Sequence, residues 1–358
     1  MKIAIVFGTR PQYIKLAPLI REAKDKFDVC TIDTGQHYDE ALSEKFITEF
    51  QMPKPTYVLN VGSGSIGDQL GKMLSRLEPI LLSEKPDLVL VMGDTNSTLA
   101  GAFMGSRLGI PVAHLEAGGR SYDKRMPEEI NRIIVDAISE LHLCPTETTE
   151  ENLAAEGITK GVFLTGDIMV DSLEMSLKNL DSEAYLMQYG LRKKQYIYLT
   201  LHRPSNVDDP KNLKSIIEAL NYCGQPIIFP VHPRTKKNLK EFGLQHLMNS
   251  NIVCIDPVAH DLSVCLVKCA SKVLTDSGGI QKEAYLLKTP CITLRDSTEW
   301  PETVDLGWNC LVGADTQMIS NAISQFQCDG HEHPDFLGNN VAKRVCAVLR
   351  FFERGVVK

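Results

Sequence analysis

The chain has 358 residues, and its 38 Lys and Arg against 45 Asp and Glu give a formal charge of −7 at pH 7. With 43% hydrophobic and 23% charged residues it has the balance of an ordered globular protein, which excludes disorder, and its length suggests two domains, because single cores stop growing near about 250–300 residues. The acidic balance argues against a dedicated nucleic-acid binder, whose footprint is basic, and no apolar window reads as a signal peptide or a membrane span.

Short apolar runs alternate with amphipathic stretches from end to end. Residues 3–7 read as a buried strand, followed by a helical pattern through Leu16, Leu19 and Ile20, and strands recur at 29–32, 88–92, 111–115 and 162–164. After a polar, helix-prone stretch over 172–194, read as the linker, strands resume at 196–201, 227–231, 252–255, 273–275 and 291–294. Continuous apolar strands separated by helices predict parallel sheets covered on both faces. The fold class expected is α/β, with two Rossmann-like doubly wound parallel-sheet domains facing a cleft. The ten cysteines form no CxxC pair. Cys30, Cys144, Cys254 and Cys291 lie in or beside apolar runs, as buried thiols do, Cys265 and Cys269 are one helical turn apart, and the compartment expected is the cytoplasm.

In such sheets ligands bind beyond the carboxyl ends of the strands, and polar residues concentrate there. The first strand runs into Gly8-Thr9-Arg10-Pro11, with Lys15 further on, so two cations lie near a helix N-terminus, as an anion site requires. Asp94 follows the strand ending at Met92, and Glu116 follows the strand ending at Leu115. Pro127 opens a helix with Glu128 and Glu129 in its first turn. Convergent carboxylates raise one another's pKa, which is how proteins obtain general acids and bases. In the second half, His202-Arg203 and His232-Pro233-Arg234 end successive strands. Thr275-Asp276-Ser277-Gly278-Gly279 then leads into a helix carrying Glu283, where backbone N–H groups can cradle a phosphate and a carboxylate can accept from ribose hydroxyls. His331-Glu332-His333 has no third ligand in view and reads as a surface loop, so no metal is expected. These residues predict a two-domain enzyme for a diphosphate-bearing ligand, of which a nucleotide-sugar is the simplest.

The motifs Gly8-Thr9-Arg10-Pro11, Gly35-Gln36-His37, Gly93-Asp94-Thr95, His114-Leu115-Glu116-Ala117-Gly118, Pro127-Glu128-Glu129-Ile130-Asn131-Arg132, Thr275-Asp276-Ser277-Gly278-Gly279, Gln281-Lys282-Glu283-Ala284 and Thr298-Glu299-Trp300-Pro301-Glu302 occur in one order. In that order they resemble the non-hydrolysing UDP-N-acetylglucosamine 2-epimerases. The resemblance implies a glycosyltransferase-B-like fold, with residues 1–171 and 172–337 as its two Rossmann-like domains and 338–358 as a helix crossing back to the first. It also implies a cytoplasmic homodimer with a UDP-sugar substrate and no cofactor. The implied reaction interconverts UDP-N-acetylglucosamine and UDP-N-acetylmannosamine through elimination of UDP to 2-acetamidoglucal and re-addition. The family pattern assigns Asp94, Glu116, Glu128 and His202 to catalysis. It assigns Arg10, Lys15, Gln36, His37, Arg132, His232, Ser277, Gly278, Gly279 and Glu283 to substrate binding.

Three departures stand out. His202-Arg203 continues as Pro204-Ser205-Asn206, the segment after Asp256-Pro257 reads Val258-Ala259-His260-Asp261-Leu262-Ser263, and Trp300 and Tyr38 replace arginines common in bacterial members. The Arg-Pro-Gln and Thr-Glu-Trp variants also occur in relatives acting on UDP-2,3-diacetamido-2,3-dideoxy-glucuronic acid, the alternative substrate, with Arg120, Arg125 and Arg132 as cations for its carboxylate. A nucleotide-sugar sensor without catalysis is the alternative of another class.

Overall fold

The computed structural model of the chain describes residues 1–36, 52–178 and 180–355. The chain divides into two compact units, Met1–Met175 with Asp335–Lys358, and Ser176–Pro334. The first holds seven strands: β1 (Lys2–Phe7), β2 (Asp28–Asp33), β3 (Tyr57–Val58), β4 (Leu88–Met92), β5 (Val112–Leu115), β6 (Leu141–Cys144) and β7 (Val162–Leu164). They form one parallel sheet in the order β3-β2-β1-β4-β5-β6-β7.

Successive side chains of β1 enter different cores. Ile3, Ile5 and Phe7 pack with Leu16 and Leu19 of the helix Arg10–Lys24 and with Val345 and Leu349 of the helix Val341–Glu353. Ala4 and Val6 pack on the other face with Met73 and Leu77 of the helix Ile66–Glu84, Ala100 of the helix Asn96–Arg107 and Val135 of the helix Pro127–Ile138. Both faces are therefore apolar, which is why the strand reads as a continuous run. Each fully buried aliphatic or Phe side chain contributes about 1.5–3 kcal/mol. Asp171 holds the last helix to this unit by accepting from the backbone N–H groups of Val341 and Ala342, at 3.0 and 2.8 Å.

The second unit repeats the plan with β8 (Ile197–Thr200), β9 (Ile227–Pro230), β10 (Ile252–Ile255), β11 (Lys272–Thr275), β12 (Cys291–Thr293) and β13 (Asn309–Leu311). Their order is β10-β9-β8-β11-β12-β13, again parallel. In each sheet the winding reverses beside the first strand, between β1 and β4 and between β8 and β11. Ligands of doubly wound sheets bind at such points.

The structure differs from the sequence reading in four places. Strands β3, β6 and β13 were not expected, because two residues are too few to show a pattern and His142 and Asn309 interrupt the other two apolar runs. The expected linker carries the helices Met169–Lys178 and Ser182–Gln188, as a helix-prone stretch should, but it is not an exposed connection, since Ser172, Leu173 and Ser176 are buried. All ten cysteines are free thiols, but Cys254 is exposed, because β10 is an edge strand. His333 is not a solvated loop residue: its ring stacks on Tyr285 at 4.2 Å and its Nε2 lies 2.7 Å from the Tyr285 carbonyl oxygen. Among the described residues no helix is long and apolar enough to cross a membrane, and no group of His, Cys, Asp and Glu is arranged to hold a metal ion.

Candidate active site

Because all seven strands of the first sheet are parallel, the loops after β1, β4, β5 and β7 emerge at one end. Gly8 leaves β1 where a Cβ would lie 1.8 Å from Thr34 Oγ1 and 2.6 Å from Ser97 Oγ, so only glycine fits. Gln12 ties this loop to the next. Its amide oxygen accepts from the N–H groups of Gly8 and Thr9 at 2.9 and 3.1 Å, and its Nε2 donates to the Met92 carbonyl at 2.9 Å. Arg10 opens the helix Arg10–Lys24, and Lys15 lies one turn into it.

The Lys15 ammonium donates to both oxygens of Glu116, at 2.7 and 2.9 Å. Burial works against this charge but is outweighed by Glu116, Asp167 and Asp94, so the Lys15 pKa is raised. Glu116 is held at φ 68°, a left-handed conformation rare for a residue with a side chain. Such strain persists only where the surroundings over-determine it, and it clusters at functional sites.

Asp94 accepts from Arg132 through Nε at 3.1 Å and through an Nη at 2.7 Å, while the other Nη of Arg132 donates to Glu129 at 2.8 Å. The two carboxylates opening the helix Pro127–Ile138 thus have different roles. Glu129 is buried and also accepts from the N–H groups of Ser121 and Tyr122 at 2.8 and 2.9 Å, so it shapes the loop after β5. Glu128 is half-buried and has no hydrogen-bond or ion-pair partner among the described residues. Gln36 is buried, with its amide oxygen accepting from the Ser97 N–H at 3.0 Å and from the Ser97 hydroxyl at 2.8 Å. His37 and Tyr38 lie outside the described residues.

Sequence reasoning missed Asp167, Asp136 and His114. Asp167 follows β7 in a loop like those after β1, β4 and β5, is fully buried, and favours the Lys15 charge; its signal was available in Thr165-Gly166-Asp167. Asp136 and His114 lie within a helix and a strand, where strand-end reasoning does not look.

In the second unit Asp276 organises the switch point. It is fully buried after β11 and accepts from the backbone N–H groups of His202 (3.1 Å) and Arg203 (3.0 Å) and from Asn206 Nδ2 (3.2 Å). The departure Pro204-Ser205-Asn206 forms a short helix, Pro204–Val207, that supplies this brace. His202 Nδ1 lies 3.3 Å from Asp276 Oδ1. Burial lowers the His202 pKa, Asp276 opposes it, and Arg203, His232 and Arg295 add to the lowering. The ring is therefore neutral at pH 7, and with its proton on the Nδ1 facing Asp276, Nε2 keeps a lone pair. The His232 ring lies 5.9 Å away. Its Nδ1 accepts from the Arg234 N–H at 3.2 Å, and burial, then Arg234, lowers its pKa against the pull of Asp276.

Ser277 caps the helix Gly278–Leu286. Glu283 is buried in that helix: one oxygen lies 3.3 Å from His260 Nε2, and the other is buried with no partner. An orphaned carboxylate oxygen marks a place for a ligand donor. His260 comes from the second departure segment, so the altered sequence braces Glu283.

Two doubly wound units with carboxylates, cations and helix N-termini at their strand ends define a two-domain α/β enzyme of the glycosyltransferase-B-like class. A sequence model of the UDP-N-acetylglucosamine 2-epimerase family matches residues 20–350, and the chain belongs to that family. It is 48% identical to a UDP-N-acetylglucosamine 2-epimerase homolog of Methanococcus maripaludis, over 98% of this chain and 99% of the relative. It is 43% identical to the UDP-2,3-diacetamido-2,3-dideoxy-D-glucuronate 2-epimerase of Pseudomonas aeruginosa, over 89% and 90%. The crystal structure of Methanocaldococcus jannaschii UDP-GlcNAc 2-epimerase in complex with UDP-GlcNAc and UDP superposes with a TM-score of 0.90 at 44% identity, covering 98% of this chain and all of that one.

Proposed function

We propose that the protein interconverts UDP-N-acetylglucosamine and UDP-N-acetylmannosamine. A carboxylate takes the proton from carbon 2 of the sugar, the carbon 1–oxygen bond breaks with its electron pair going to the β-phosphate, and a carbon 1–carbon 2 double bond forms. The 2-acetamidoglucal is then protonated on the opposite face of carbon 2 while UDP oxygen re-adds to carbon 1. Asp94, Glu116 and Glu128 supply the proton-transfer groups. Arg10, the Ser277-Gly278-Gly279 helix start and neutral His202 hold the departing diphosphate, Glu283 meets the ribose, and Lys15 and Arg132 hold their carboxylate partners Glu116 and Asp94 in place.

The observation that carries this reading is Glu116, held at φ 68° against Lys15 with Asp94 and Asp167 close enough to act on the same ammonium. A nucleotide-sugar sensor has no use for such an arrangement. Incubation with UDP-N-acetylglucosamine in heavy water tests it: deuterium at carbon 2 of both epimers is expected, and absence of exchange into any UDP-hexosamine refutes it.

The charge pattern favours the neutral sugar over the diacetamido uronate. Arg132 is committed to Asp94 and Glu129, Arg120 to Asp136 and Glu156, and Arg125 to Asp123. The two buried cations, Arg120 and Arg132, are thus already committed, while Arg125 is 90% exposed in a weak surface pair. A specificity constant more than roughly 100-fold higher for the uronate overturns this choice.

The homodimer belongs to the same proposal. Phe103, Ile130 and Ile134 are 42, 44 and 37% exposed on two neighbouring helices of the first unit, a face suited to a second copy. Sedimentation of Ile134→Lys as a monomer is the expected result, and an unchanged mass refutes this face as the interface. Ten free thiols support a reducing compartment, the cytoplasm.

A further inference from the structure

His114 is a fully buried titratable group that the proposed chemistry does not use. Its Nδ1 lies 2.6 Å from Asp136 Oδ1, and its Nε2 lies 2.8 Å from the Gly93 carbonyl oxygen. The ring thus joins the Asp136 carboxylate to the Gly93 carbonyl, one nitrogen to each. Burial pushes the Asp136 pKa up, but His114 and Arg120 outweigh that and hold it below the usual carboxylate value.

Arg120 completes the cluster: it donates to Asp136 Oδ2 at 2.7 Å and to both oxygens of Glu156, each at 2.7 Å. The Cys144 thiol beside it is pushed up to about 12 by burial. His142, in register with His114, makes a lesser link: its Nε2 lies 2.8 Å from the Asp136 backbone carbonyl, and its Nδ1 is buried without a hydrogen-bond partner among the described residues.

The cluster grips both loops that carry the proposed proton-transfer groups. His114 holds the Gly93 carbonyl, immediately before Asp94. Asp136 Oδ2 also accepts from the Gly118 N–H at 3.2 Å, two residues after Glu116. A Cβ built on Gly93 would lie 3.7 Å from Glu116 Oε2, so the two loops meet at that carboxylate. We infer that the buried His114–Asp136 pair is the positioning element of the reaction, locking the Asp94 and Glu116 loops together. This rests on the epimerase reading; neither residue touches substrate.

The test uses the full chain. His114→Gln and Asp136→Asn should lower kcat about 10- to 100-fold with KM within about threefold, as misplaced catalytic groups do. Asp136→Glu, which keeps a carboxylate opposite His114, should recover part of the lost kcat. The double variant His114→Gln/Asp136→Asn should lose little more than the worse single one, because both residues act through the same link. Full kcat in His114→Gln, or losses that multiply in the double variant, overturns the inference. If His114→Gln does not fold, the kcat-against-KM split of Asp136→Asn, which keeps the side-chain shape, decides. A wild type that exchanges no deuterium refutes the epimerase reading instead.

Discussion

The left-handed backbone at Glu116 gives a stability prediction that runs against the usual rule for glycine. For an L-residue with a Cβ, this conformation costs about 1–2 kcal/mol, and φ 68° places Glu116 within it. Replacing Glu116 by Ala or by Gly removes the same two hydrogen bonds to Lys15, so that loss cancels in the comparison. Alanine retains the backbone cost and glycine does not, while glycine loses about 0.4–1 kcal/mol through its freer unfolded chain. The difference leaves Glu116→Gly more stable than Glu116→Ala by about 0.5–1 kcal/mol, although glycine normally loses such contests. Urea unfolding of the two variants with equal m-values measures it directly. Both should lose at least about 100-fold in turnover, as removal of a general acid or base does. An alanine variant more stable than the glycine one by about 0.4–1 kcal/mol, the full unfolded-chain term, would show that the conformation carries no strain, and the case for Glu116 as a residue held under tension would fail.

Asp94→Asn and Glu128→Gln should each fold normally and lose at least about 100-fold in turnover; near-wild-type rates in both would remove them from the chemistry. Arg10→Ala should weaken UDP binding by about 1.5–3 kcal/mol, the scale of a hydrogen bond to a charged group, and an unchanged calorimetric affinity would take Arg10 out of the site. Burial works to raise the Glu299 pKa, but its bidentate pair with Arg295, with help from Arg203, holds it at about 2 against an ordinary value of 4.5. Its folded value being the lower one, the pair's contribution of about 3 kcal/mol is fully present above about pH 4.5 and is lost as pH falls through about 2. The stability gap between wild type and Glu299→Gln should therefore narrow by about 2 kcal/mol between pH 7 and pH 3, and a constant gap would refute the assignment.

What could be read in advance follows the physics of parallel sheets. Strands buried on both faces are continuous apolar runs, and the polar residues that directly follow them gather at one end of the sheet. That logic located Arg10, Asp94, Glu116, His202 and Ser277 from order alone. It failed where an apolar run carried an internal polar residue, as at His142 and Asn309. It also failed where a charged residue in the middle of an element serves the site from beneath. Asp136, within the helix Pro127–Ile138, has the sequence appearance of a solvent-facing carboxylate, yet it is buried beside His114 and Arg120.

The arginines show the deeper limit. Arg120, Arg125 and Arg132 count in a sequence as three cations near a carboxylate cluster, equally suited to a uronate and to a diphosphate. Asp123 and Glu129 lie only 2 and 3 residues from Arg125 and Arg132, but Asp136, Glu156 and Asp94 lie 16, 36 and 38 residues from their arginines, so no local pattern announces these three matches. To bind another carboxylate, Arg120 must leave the buried Asp136 and Arg132 the buried Glu129, and the cost of an unpaired buried acid falls on substrate affinity; Arg125 is exposed and carries no such cost. Counting charges therefore overstates what a site can bind. The pairing that the fold creates turns Arg120 and Arg132 from apparent anion sites into supports for Asp94, for the loop after β5 and for the buried Asp136, and so favours a neutral hexosamine over its carboxylated analogue.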